Sequence, residues 1–129
     1  MPVKIKKINP FKPDKRGLAY GFTTRPSRYF IVVHRKRGTV SAKHHHKGLA
    51  KSRNPETFCL IYGTMRLYTK NLRTKKEQEH IITENHLVEI PAMVYHELHA
   101  VTDMIFIEFH NLDDSKSYDK DTVSKLRIS

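Results

Sequence analysis

The chain has 129 residues, 38% hydrophobic and 9% aromatic, which suits one domain with a modest core and leaves little room for a second. No apolar run approaches the roughly 20 residues needed to span a bilayer, the opening "MPVKIKKINPFKPDK" has no secretory-leader core, and the single Cys59 excludes an internal disulfide, so a soluble, cytoplasmic protein is expected. The net charge of +11 is lopsided: residues 1–53 hold 15 Lys/Arg against Asp14 alone (+14), and residues 54–129 hold 9 against 12 acids (−3), a field that suits an anionic small ligand, nucleic acid or plain solubility.

Residues 1–27 read as an N-terminal arm and first strand region, extended by Pro2, Pro10 and Pro13. An arm of this kind can cross to a partner subunit or fray. Short β-rich runs then follow in sequence, and helical periodicity is nearly absent. They are "RYFIVVH" (28–34), "GTVSAKHHH" (38–46), "TFCLIYG" (57–63), "MRLYT" (65–69), "QEHIIT" (78–83), "HLVEIP" (86–91), "YHELHAV" (95–101) and "MIFIEF" (104–109). Tight links at Gly63-Thr64 and Glu84-Asn85 predict hairpins, and Thr102-Asp103 joins the last two runs. Strands at this even spacing predict an all-β sandwich or barrel over residues 28–110. Residues 111–129 form a polar tail that either ends in a short helix from about Asp119 or lies loosely on the surface.

Side chains alternate along a strand, so His44 and His46 share one face and His45 takes the other. Glu56 opens the next strong strand and shares its face with Phe58, Leu60 and Tyr62. If that face is the inner one, a carboxylate enters an apolar interior, where it needs a partner or a metal. His96 opens a later strand. A chain with nine histidines yields an H-x-H by chance, and Glu56 and His96 are what single this one out. Three imidazoles and a carboxylate around an open position suit a divalent Mn, Fe, Ni or Zn ion. Cys59, on the face opposite Glu56, reads as an inert core thiol. His34, His80, His86, His99 and His110 read as surface or turn residues, with His45 and His99 pointing away from the interior.

Gly38, His44, His46, Glu56 and Gly63 stand in a spacing that resembles the first signature motif of the cupins, and "NHLVEIPAMVYHELHA" resembles the second, with Pro91 and His96 in register. The resemblance covers about residues 28–109. It implies a small antiparallel β-barrel of jelly-roll type, with His44, His46, Glu56 and His96 at the positions of the family's metal ligands. Nine residues, "KGLAKSRNP", separate His46 from Glu56 where the family has three or four, an insertion that fits a turn. Asn85, Met93 and Ala100 replace the second motif's opening Gly, later Gly and terminal Asn. "INPFKPDKRGLA", "HHHK" with "ETFCLIYG", and "SYDKDT" are similar to nucleotide-sugar epimerases and ketoisomerases of cupin type. That branch typically uses a histidine base without a metal, whereas this chain keeps a full ligand set.

The expected function is an enzyme acting on a small polar or anionic molecule, a sugar or sugar nucleotide, by proton abstraction beside a carbonyl. His44 or His46 would be the base, or a metal would polarise the carbonyl. Tyr62, Tyr68 or Tyr95 would serve as acid, and Lys43, Lys47, Lys51 and Arg53 would hold phosphate at the barrel mouth. The same ligands on Fe(II) would suit a dioxygenase, and a non-catalytic ligand-binding cupin is the other class. No nucleic-acid-binding motif is visible, and none is expected as a partner. A homodimer is expected, because a barrel this small has sheet edges to cover.

Overall fold

The computed structural model of the protein describes residues 2–24, 27–49, 54–110 and 121–124. Its strands are β1 (Lys4–Lys7), β2 (Tyr29–Arg35), β3 (Val40–His46), β4 (Glu56–Tyr62), β5 (Met65–Asn71), β6 (Glu77–Ile82), β7 (His86–Ile90), β8 (Val94–Ala100), β9 (Met104–His110) and β10 (Thr122–Ser124). They form two five-stranded antiparallel sheets, in the orders β1-β7-β4-β9-β2 and β10-β3-β8-β5-β6. The sheets face each other across one apolar core, a jelly roll. No helix among the described residues is long and apolar enough to cross a membrane.

Period-2 alternation builds that core. Phe58 and Leu60 of β4, Met104 and Phe106 of β9, Leu67 of β5 and Leu98 of β8 are all buried in one cluster. Burying side chains of this size contributes about 1.5–3 kcal/mol each. Phe58 and Phe106 meet with ring centroids 5.5 Å apart, in the range of favourable aromatic contact. Cys59 faces the other way and joins Ile8 and Leu87 in a smaller cluster on the outer side of its sheet. Burial pushes its thiol up to about 11, which suits an inert side chain.

The two expected hairpins are corners between sheets, and so is the link at Thr102-Asp103. β4 and β5 belong to different sheets, as do β6 and β7, and β8 and β9. A tight turn that would fold one strand onto the next here carries the chain over the edge of the barrel instead. Two of these corners touch each other: a Cβ on Gly63 would lie 2.2 Å from the carbonyl oxygen of Asp103, and Gly63 has φ +90°. Among the strands, β5 and β6 are consecutive and paired, with Met65 opposite Ile82 and Lys70 opposite Glu77.

Both ends of the chain enter the sheets. β1, within the expected arm, pairs with β7 of the same chain. β10 lies where a short helix or loose surface chain was expected, and places Thr122 opposite His46. The reason is local: Asp121, fully buried, accepts hydrogen bonds from the backbone N–H groups of Gly48 (2.9 Å) and Leu49 (2.6 Å), which ties the segment to the end of β3. Residues 111–120 and 125–129 of the tail lie outside the described residues.

Candidate active site

His44 and His46 end β3, Glu56 begins β4, and His96 lies near the start of β8. β3 and β8 are neighbours and pair His44 with His96, while β4 lies across the barrel in the other sheet. A bulge just before His44, with Ala42 at φ 72° and Lys43 at φ 55°, resets the alternation and aims both His44 and His46 inward. The pleat does the rest.

The four groups converge. The Nε2 atoms of His46 and His96 each lie 2.9 Å from Glu56 Oε2, and that of His44 lies 3.8 Å away. One ligand atom from each side chain fits within 4.8 Å of every other. The Nε2 atoms of His44 and His96 are buried and make no hydrogen bond among the described residues. Both nitrogens lie within 4 Å of the Glu56 carboxylate. Two ligands held about 2.1 Å from one ion at a right angle would be about 3.0 Å apart, close to the spacings made by His46 and His96. The donor set therefore fits a divalent metal ion.

Outer contacts fix the imidazoles. His96 Nδ1 donates to the Val94 carbonyl (3.0 Å), which leaves Nε2 as the acceptor nitrogen of the neutral ring. His46 Nδ1 lies 3.2 Å from both Asp121 Oδ2 and Thr122 Oγ1. A carboxylate behind an imidazole orients the ring. Neither Asp121 nor Thr122 was among the residues singled out in the sequence, because only three-dimensional pairing brings position 121 to position 46.

Electrostatics follows the geometry. Burial pushes the Glu56 carboxyl up, but the charge of His96 and the three imidazole contacts outweigh it and hold the group well below its ordinary value. Burial pushes His96 down, and Glu56 beside it more than reverses this, so His96 is raised. His44 is lowered, because its burial outweighs the attraction of Glu56.

Above the cluster lies a cleft of about 350 Å³. His44 and Glu56 border it, with Arg35, Ser41, Glu108 and Ser124 as further polar groups. Ile31, Val33, Leu98 and Phe106 supply an apolar wall. Arg35 is the one Lys or Arg among the described residues bordering it, and is braced by hydrogen bonds to Ser41 Oγ (2.7 Å) and the His34 carbonyl (3.1 Å). Lys43 and Lys47 are exposed and do not border the cleft: the bulge turns Lys43 outward, and Lys47 follows the end of β3. Lys51 and Arg53 lie outside the described residues.

The tyrosines lie elsewhere. Tyr62 is 55% exposed at the far end of β4, about 20 Å along the strand from Glu56. It borders a second hollow, of about 680 Å³, at the corner end of the barrel. Tyr95 neighbours His96 and so takes the opposite face of β8, where its hydroxyl donates to Glu97 Oε2 (2.8 Å). Tyr68 packs on Tyr95 and donates to Glu77, on that same outer side. His110, expected at the surface, is buried at 2% exposure, because β9 runs one residue further and alternation turns it inward with Phe106 and Glu108. His45 does point out of the barrel, yet is 4% exposed.

No family model and no curated protein matches the sequence. Solved structures do match the fold. The sugar 3,4-ketoisomerase QdtA from Thermoanaerobacterium thermosaccharolyticum, in complex with TDP, is similar with a TM-score of 0.74 and 13% identity, over 95% of this chain and 88% of that one. A mutant of the same enzyme in complex with TDP-4-keto-6-deoxyglucose is similar with a TM-score of 0.71 and 13% identity, over 95% and 87% of the two chains. The dTDP-4-dehydrorhamnose 3,5-epimerase from Sulfolobus tokodaii is similar with a TM-score of 0.66 and 19% identity, over 86% and 77%. The chain thus has the cupin jelly-roll fold shared by these nucleotide-sugar isomerases and epimerases.

Proposed function

We propose that the cleft is the active site of an isomerase or epimerase that acts on a sugar nucleotide, with His44, His46, Glu56 and His96 holding a divalent metal ion at its floor. The observation that carries this reading is the convergence of three imidazole nitrogens and one carboxylate oxygen within 4.8 Å, beneath a cleft bordered by a braced cation. Two of the similar structures hold TDP or a TDP-sugar, which supports the substrate class.

A bound metal ion would polarise a substrate carbonyl. The chain's own residues bind and orient. Arg35 meets the diphosphate in two-pronged fashion, a geometry that the guanidinium fork suits better than an ammonium. Ile31, Val33 and Phe106 keep water from one side of the sugar. Ser41 and Ser124 offer hydroxyls to sugar oxygens.

His44 favours a second, metal-free version of the same reading. It is the imidazole that reaches the cleft, and burial favours its neutral form, as a proton acceptor requires. The two versions exclude each other at His44 Nε2. Incubation with TDP-4-keto-6-deoxyglucose, with and without added Mn(II), separates them by NMR. Formation of a new keto sugar or epimer that depends on metal supports the first, formation in chelator the second. Unchanged sugar in both refutes the isomerase reading.

The protein works as a cytoplasmic homodimer in this proposal. The outer side of the β2-β9-β4 sheet leaves Phe30 54%, Val32 57% and Ile61 41% exposed, and a second copy of the chain would cover it.

A further inference from the structure

β9 carries a second carboxylate–imidazole pair into the barrel. Its inward positions are Met104, Phe106, Glu108 and His110, since Met104 and Phe106 are both in the core. Glu108 stands opposite Phe58 on β4 and Ile31 on β2. It borders the same cleft as His44, but from the opposite sheet. Its side chain is 19% exposed, open enough to meet a ligand.

Glu108 is also held. His110 Nε2 lies 3.3 Å from Glu108 Oε2, and the His110 ring is 2% exposed. Ser27 Oγ donates to the His110 carbonyl, which pins the end of β9. His110 Nδ1 is buried with no hydrogen-bond partner among the described residues, so Glu108 is the polar contact that the ring has there. A buried imidazole behind a carboxylate at a cleft wall is a costly arrangement for a fold to keep for packing alone.

We infer that Glu108 is the acid–base group that moves the substrate proton, with His110 as its positioning residue. This rests on the isomerase reading above. If His44 is a metal ligand, its Nε2 cannot also take a proton, and Glu108 is the carboxylate of the cleft outside the cluster. The step balances without a further reactant. A Glu108 oxygen takes the proton from the carbon beside the carbonyl. The C–H electron pair becomes the C=C bond of an enediolate, and the carbonyl π pair moves to oxygen. Return of that proton to the neighbouring carbon, with the hydroxyl proton passing from its oxygen to the adjoining alkoxide oxygen, shifts the carbonyl by one position; protonation of the same carbon by water on its other face, with the Glu108 proton released to solvent, gives the epimer.

The test uses the full-length protein and TDP-4-keto-6-deoxyglucose in D₂O, with NMR following both conversion and deuterium entry beside the carbonyl. For Glu108→Gln, both are expected to fall by about 100-fold or more. Binding of TDP alone should stay within about twofold, since Glu108 does not contact phosphate in this scheme. Glu108→Asp should retain measurable exchange, and His110→Asn should lower conversion while leaving TDP affinity unchanged. Exchange by Glu108→Gln at the wild-type rate would overturn the assignment while leaving the isomerase reading intact. So would a parallel loss of TDP affinity and exchange, which would mark a merely structural side chain. A wild-type protein that binds TDP but neither exchanges nor converts the sugar would refute both.

Discussion

Glu56 illustrates how one residue can organise a site at the expense of the fold. It is 5% exposed, faces an apolar interior, and has three imidazoles as its compensation. In metal-free protein this produces a defined pH dependence. The raised His96 contributes stability that is fully present below its ordinary value of 6.5 and lost as pH rises through its folded value. The lowered Glu56 contributes stability present above 4.5 and lost as pH falls through its folded value, and the lowered His44 costs stability as pH falls below 6.5. The melting temperature of chelator-treated protein should therefore fall on both sides of a maximum near 6.5. Glu56→Gln should flatten the alkaline limb, because it removes the charge that raises His96. An alkaline limb unchanged in the variant would contradict this. Asp121 acts one contact further out. Asp121→Asn should weaken metal binding by about 10- to 100-fold in a calorimetric titration, and an unchanged affinity would show that its contact with His46 does not orient the ring. His44, His46, Glu56 and His96 could be picked out from alternation and spacing, because period 2 fixes which side chains share a face. Glu108 and His110 carry the same signal, two residues apart at the end of an apolar strand, but a strand read as 104–109 leaves His110 at the surface, whereas β9 runs on to His110. Asp121 had no such signal, since its partner lies 75 positions away.

At the scale of elements, strands were readable and connections were not. The eight expected strands match the structure to within two residues at either end, because β-branched and aromatic runs bounded by turn residues leave little freedom. Gly63-Thr64, Glu84-Asn85 and Thr102-Asp103 carry turn chemistry that serves a hairpin or a corner equally well. Only the packing of two sheets decides between them. Asn85 and Met93 have φ 64° each, at positions where the resembling motif has glycine. The backbone there keeps the glycine conformation with other side chains in place. Gly63 shows the limit of such replacement. Gly63→Ala forces a Cβ to 2.2 Å from the Asp103 carbonyl and is strained at φ +90°. It should cost about 2 kcal/mol or more, read as a lower urea midpoint with an unchanged slope. A midpoint equal to wild type would mean that the two corners move apart freely.

At the scale of the whole molecule, the two sheets divide the labour. β3 and β8 bring the three imidazoles from one sheet, and β4 and β9 bring Glu56 and Glu108 from the other. Among the described residues the positive charge does not concentrate at the cleft: Arg35 alone borders it, and the other described cations act as a long-range field that salt would screen. The apolar outer side of the β2-β9-β4 sheet yields the assembly prediction. Light scattering should give twice the chain mass, and Val32→Asp should give a monomer with its melting temperature largely kept, whereas a monomeric wild type at high micromolar concentration would leave that face unexplained by a second copy. In the proposed function His44, His46, Glu56 and His96 form one metal centre. Its most direct test is titration of tag-free, chelator-stripped protein with Mn(II), Fe(II), Ni(II) and Zn(II), followed by elemental analysis of the desalted complex. One ion per chain should be retained, and Glu56→Gln and His96→Ala should each abolish retention while leaving the fold intact by circular dichroism. No ion retained by wild type, or equal retention by all three proteins, would contradict it.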